Sequence, residues 1–160
     1  MTLQENEYLL DAREELKRLE HIIYVTLKYT RTVDVLVNAL HRLISVYDLI
    51  IEALMEQAKE QGKITALPKS PALRATQLGQ LSIEDADLQK YLQFYAFLKT
   101  VLNKPHKKRE EFRRHVTLVV ELEKSTAEID IDNLMNCEKF VHKFFRYAWK
   151  KVIGGLDEDS

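Results

Sequence analysis

The chain has 160 residues, with 24 Lys and Arg against 25 Asp and Glu and a formal net charge of −1. That length fits one domain able to bury a core, and 46% hydrophobic with 31% charged residues is globular rather than disordered composition. The near-zero charge excludes a general attraction to nucleic acid or membrane, the lone Cys137 excludes an internal disulfide and a cysteine zinc site, and no apolar run approaches the roughly 18 residues that span a bilayer.

The elements follow in chain order. The first twenty residues lack the apolar centre of a signal peptide, so a cytoplasmic protein is expected. Thr2 and Glu5 match a capping box, and Leu9, Leu16, Leu19, Ile22, Ile23 and Leu27 predict a first helix. From Val25 to Val35 apolar and polar residues mostly alternate, as on a strand. With no partner strand in view, this segment reads as a helix end and a short connection. Steps of three and four from Val33 through Val37, Leu40, Ile44, Tyr47, Ile51, Leu54 and Ala58 predict a long second helix with a broad buried face. Residues 61–80, with Gly62, Pro68, Pro71 and Gly79, read as an irregular loop. Ser82 with Asp85 predicts the cap of a third helix carrying Leu88, Tyr91, Leu92, Tyr95, Leu98 and Leu102, closed by Asn103 and Pro105. A fourth helix opens on a basic stretch and would bury Phe112, Val116, Val119 and Val120. Residues 125–132 read as a turn with Asp caps. A last helix would bury Leu134, Cys137, Val141, Phe144, Ala148 and Val152, ending at Gly154 and Gly155 before an acidic tail over 154–160. The sum is one all-α domain over 1–160, an antiparallel bundle of about five helices.

The basic stretch is the feature that folding alone does not explain. Residues 104–115 read Lys-Pro-His-Lys-Lys-Arg-Glu-Glu-Phe-Arg-Arg-His, six Lys or Arg and two His against two Glu. Positive charge in the first turn of a helix opposes the helix macrodipole. Lys104, Lys107, Lys108, Arg113 and Arg114 form a surround that would attract phosphate.

Arg109, a gap of five and His115, opening a helix after a break, resembles the motif of the HEPN (higher eukaryotes and prokaryotes nucleotide-binding) superfamily. The helix order is similar too, with Ile129-Asp130-Ile131-Asp132-Asn133-Leu134 standing before the closing helix. Two positions depart from the family pattern. Glu110 follows the Arg where Asn or Asp is common, and Val116 and Thr117 follow the His where a Tyr is frequent. The resemblance implies a HEPN-like bundle that interacts with RNA as a metal-independent endoribonuclease. His115 would take the proton of a ribose 2′-hydroxyl, Arg109 would stabilise the phosphorane charge, and Glu111 would orient His115. On a continuous helix residues six apart differ by about 120° and lie about 9 Å apart along the axis. The pair therefore converges only with a break near Arg109 or across a two-fold homodimer, which agrees with the family's habit. The alternative is a non-catalytic helical interaction or scaffold module, antitoxin-like, that binds a protein partner through its faces. On that reading the basic stretch is a solvated face or docks an acidic partner.

Other constellations are weaker. Glu138 and His142 share a helix face at i, i+4, but no second ligand pair accompanies them, and the spacing is neither Glu-x-x-His nor His-Glu-x-x-His. No metal and no cofactor is expected. His41 stands beside a polar row of Asn38, Ser45 and Asp48. Phe140, Phe144, Phe145, Tyr147 and Trp149 cover nearly all sides of the last helix, which suggests a buried position or a dimer contact.

Overall fold

The computed structural model describes residues 6–154. Helix α1 (Glu7–His21) runs on through a π-helical segment (Ile22–Thr26) and a last turn (Leu27–Tyr29). Helix α2 (Val33–Glu60) is the spine, with α1 and α5 (Ile131–Val152) laid along it. Helices α3 (Pro71–Leu81) and α4 (Ala86–Leu102) complete the helical layer. Between α4 and α5 the chain forms strands β1 (His106–Arg109), β2 (Thr117–Glu121) and β3 (Thr126–Ile129), an antiparallel sheet in that order.

The all-α expectation is thereby corrected: the fold is mixed, mostly helical with one small sheet. The expected fourth helix does not form, and the expected turn at 125–132 holds β3 and the cap of α5. The physical reason lies in β2. Val116, Thr117, Val119 and Val120 are β-branched and lose rotamer freedom in a helix, while they pack well on a pleated surface. The burial period is two. Leu118 and Val120 are buried, Val119 is half-buried and Glu121 is exposed. The helix reading placed Val119 in the core and omitted Leu118; Leu118 in fact faces inward, opposite Ile129. β2 gains a partner on each side, with Lys107 opposite Val119 and Val120 opposite Ala127.

The helix starts have local causes. The capping box expected at Thr2 and Glu5 lies outside the described residues, as do Gly155 and the rest of the acidic tail. The Leu9 N–H donates to Asn6 Oδ1 at 2.9 Å, which caps α1. Part of the expected loop at 61–80 is α3: Ser70 caps it, and Pro71 sits at its first position, where a missing N–H costs nothing. Asp85, and not Ser82, caps α4; Ser82 closes α3 instead. Asp130 and Asn133 make a reciprocal capping box on α5.

The core is an aromatic layer between α2, α4 and α5. Phe144 lies 5.4 Å from Tyr47 and 4.7 Å from Tyr91, centroid to centroid. Phe144, Phe145 and Trp149 are all buried within the one chain. The surplus of rings on α5 is thus taken up by α5 packing against several helices at once, and Cys137 is only half-buried. No helix among the described residues is long and apolar enough to cross a membrane.

Candidate functional site

The loop between β1 and β2 is where this fold departs from ordinary backbone. Glu110 has φ 58° and Phe112 has φ 67°, the left-handed region that costs an L-residue about 1–2 kcal/mol. Three ties hold the loop against the start of α2. The Phe112 N–H donates to the Arg31 carbonyl at 2.7 Å. The Val33 N–H donates to Glu111 Oε2 at 2.9 Å. Lys108 Nζ lies 3.5 Å from Asp34 and 3.6 Å from the other Glu111 oxygen. Glu111 is therefore a carboxylate at the positive end of α2, a favourable place for negative charge. Over-determined in this way, the loop turns the Phe112 ring out to solvent, 77% exposed. Tyr29, 84% exposed, ends the α1 extension two residues before Arg31. The Phe112–Arg31 bond thus brings the loop that carries one bare ring to the chain just after Tyr29, which carries the other.

The basic residues expected to act together are divided. Arg109, on β1, pairs across the sheet with Glu128 on β3, and that hydrogen bond holds the Glu128 carboxyl below its usual range. Lys107 pairs with Glu121 at 3.3 Å, and Arg114 reaches Asp132 at 4.0 Å. Among the described residues the side chains of Lys104, Arg113 and His115 form no ion pair and are exposed. No hydrogen bond or ion pair joins Arg109, Glu111 and His115 to one another. Arg109 stands opposite Thr117, whose hydroxyl donates to the His115 carbonyl at 2.8 Å. The helical geometry that would have separated Arg109 from His115 does not apply, because neither residue is on a helix.

A second constellation lies where α1 meets α5. His142 Nε2 is 2.8 Å from Glu20 Oε1 and 2.8 Å from Glu138 Oε2. The Tyr24 hydroxyl donates to Glu138 Oε1 at 2.7 Å. Burial, and then this hydrogen bond, push the Tyr24 hydroxyl up to about 12, so it stays a donor. The Glu138–His142 spacing is visible in the sequence. Glu20 is not, because it stands more than a hundred residues earlier and only the packing of α1 on α5 brings it in.

A third feature is an apolar groove of about 520 Å³ beside the open edge of β3, walled by Leu40, Phe94, Phe97, Leu98, Ile129 and Phe140. The polar row at His41 divides as well: Asp48 takes the Tyr95 hydroxyl at 2.5 Å, whereas His41 and Asn38 are exposed. No family model, no curated protein and no solved structure matches this chain.

Proposed function

We propose that the protein binds single-stranded RNA at the corner formed by loop 110–116 and the end of α1, and that it does so without cleaving the strand. One observation carries this reading: Phe112 is held in a strained backbone conformation that leaves its ring in water. Folding gains nothing from either feature, and strain of this kind gathers at functional sites. An exposed ring on a loop tied two residues from Tyr29 offers unpaired bases a stacking surface. Arg113 on the same loop and Lys28 on the same turn as Tyr29 have no acidic partner among the described residues, and such cations suit phosphate. Contact is better supported than catalysis, because Arg109 is already matched to Glu128 and Glu111 to the first amide of α2.

Fluorescence anisotropy with a labelled single-stranded RNA tests the reading. Stacking is worth about 1–3 kcal/mol per base, so Phe112→Ala should weaken binding about 5–150-fold. Arg113→Ala should lower the salt dependence of affinity by roughly one phosphate contact. The RNA should remain intact, and His115→Ala should leave that outcome unchanged. Absence of binding, or Phe112→Ala with wild-type affinity, removes the proposal.

The groove beside β3 favours a second reading, a non-catalytic module that assembles with a second copy. β3 presents an unpaired edge next to exposed Phe97, 41% exposed, and two such edges pair antiparallel about a two-fold axis. Light scattering tests it: a dimer that Phe97→Glu converts to monomer supports it, and a wild-type monomer at high concentration rejects it.

A further inference from the structure

We infer that Glu20, Glu138 and His142 form a binding site for a divalent transition-metal ion of the zinc or manganese class, set between α1 and α5. This inference does not depend on the RNA reading and uses none of its residues.

Three potential ligand atoms converge, all within 4.8 Å of one another. One imidazole nitrogen faces two carboxylate oxygens at the same 2.8 Å. That nitrogen carries at most one hydrogen, and one hydrogen cannot point along both directions. A cation at the common centre satisfies all three at once. Nitrogen and oxygen ligands about 2.1 Å from an ion stand about 3 Å apart when they subtend a right angle. The two imidazole–carboxylate separations therefore match two edges of an octahedral face after a widening of a few tenths of an ångström, and the two carboxylate oxygens lie within 4.8 Å of each other. Imidazole with carboxylates is a donor set for zinc, manganese or iron rather than for calcium or magnesium.

The surroundings agree. The Glu138 side chain is only 9% exposed, and two carboxylates against one imidazole leave an excess of negative charge in a partly desolvated place. Tyr24 holds the distal Glu138 oxygen, which fixes the carboxylate for one-oxygen ligation through Oε2, as partners of metal ligands commonly do. Tyr24 also lies in the π-helical segment Ile22–Thr26, which follows directly on the helix that carries Glu20. Such segments are rare and recur at functional sites. The Glu20 and His142 side chains are 41% and 33% exposed, so one side of the site opens to solvent and leaves coordination positions for water or a substrate oxygen.

The test is calorimetric titration of the chelator-treated protein with zinc chloride and, separately, manganese chloride. Saturable binding of one ion per chain is expected for at least one of the two. His142→Asn and Glu20→Gln change partly exposed side chains and should keep the wild-type circular dichroism, yet each should weaken that binding more than tenfold. His106, His115 and Cys137 remain in both variants, so adventitious binding would survive in them. No saturable binding by the wild type, or undiminished binding in either variant, overturns the inference.

Discussion

Phe112 offers a comparison in which the usual order of two small residues reverses. At an ordinary position glycine is less stable than alanine by about 0.5–1 kcal/mol, because it loses more backbone freedom on folding. At φ 67° alanine pays the left-handed cost of about 1–2 kcal/mol and glycine does not. Both substitutions delete the ring, so its residual packing cancels between them. Phe112→Gly should therefore be more stable than Phe112→Ala by about 0.5–1 kcal/mol. For a protein of this size that is a rise of about 0.3 M in the urea midpoint. Urea unfolding followed by circular dichroism reads the difference directly. RNA affinity should fall equally in both variants, because the ring and not the backbone is what stacks. If Phe112→Ala is as stable as Phe112→Gly, the conformational strain is not real and the argument from it fails.

Three other outcomes are expected. Glu111→Ala removes the carboxylate that accepts the Val33 N–H and should cost about 1 kcal/mol in urea unfolding; an unchanged midpoint would show that the cap contributes nothing. Tyr47 Oη is buried without a hydrogen-bond partner among the described residues, so Tyr47→Phe should stabilise the fold by about 1 kcal/mol, and a loss of that size would point to an unseen partner. Burial lifts the Asp48 carboxyl above its ordinary range, against the lowering pull of the Tyr95 hydroxyl and Lys99. The folded state then keeps a proton that the unfolded chain releases, so stability should fall as pH rises from about 4, the usual aspartate value, through the raised one. Asp48→Asn should flatten that part of the stability profile, and an unaltered slope would refute the assignment.

The helices were legible where one periodicity ran unopposed. Val33 to Ala58 keeps steps of three and four over a long span, and α2 forms there. The sheet was missed because each strand is only four or five residues long, too short for period two to stand out from period 3.6. Its first loop also turns on Glu110 and Phe112, where glycine would have marked the turn. Pairing decided the matter: β2 is a strand because β1 and β3 flank it, and no window of sequence contains that fact. Val116 and Val120 are buried as expected, but at the start of a strand and within it and not on a helix face. The sequence marks the basic stretch 104–115 but puts it on a helix, and the structure lays it out as strand β1 and a loop. Carboxylates from α2, β2, β3 and α5 reach into it, and their approach is a property of the fold. Glu20 beside His142 is hidden for the same reason.

The row His106, Lys107, Lys108 and Arg109 occupies an outer strand, exposed at every position. A sheet with two free rims can be extended from both, and a chain able to do so has no reason to stop at two copies. Charged side chains along an outer strand make it a poor template for pairing, even though Lys107, Lys108 and Arg109 are each matched to a carboxylate within the chain. Under the second reading, strand addition would use the β3 side, where a two-fold arrangement would use up both edges and end the assembly. A charged outer strand of this kind works against open-ended strand addition, whatever else the stretch binds. Replacing its lysines would be felt first in solubility on storage, before any change in what the protein binds.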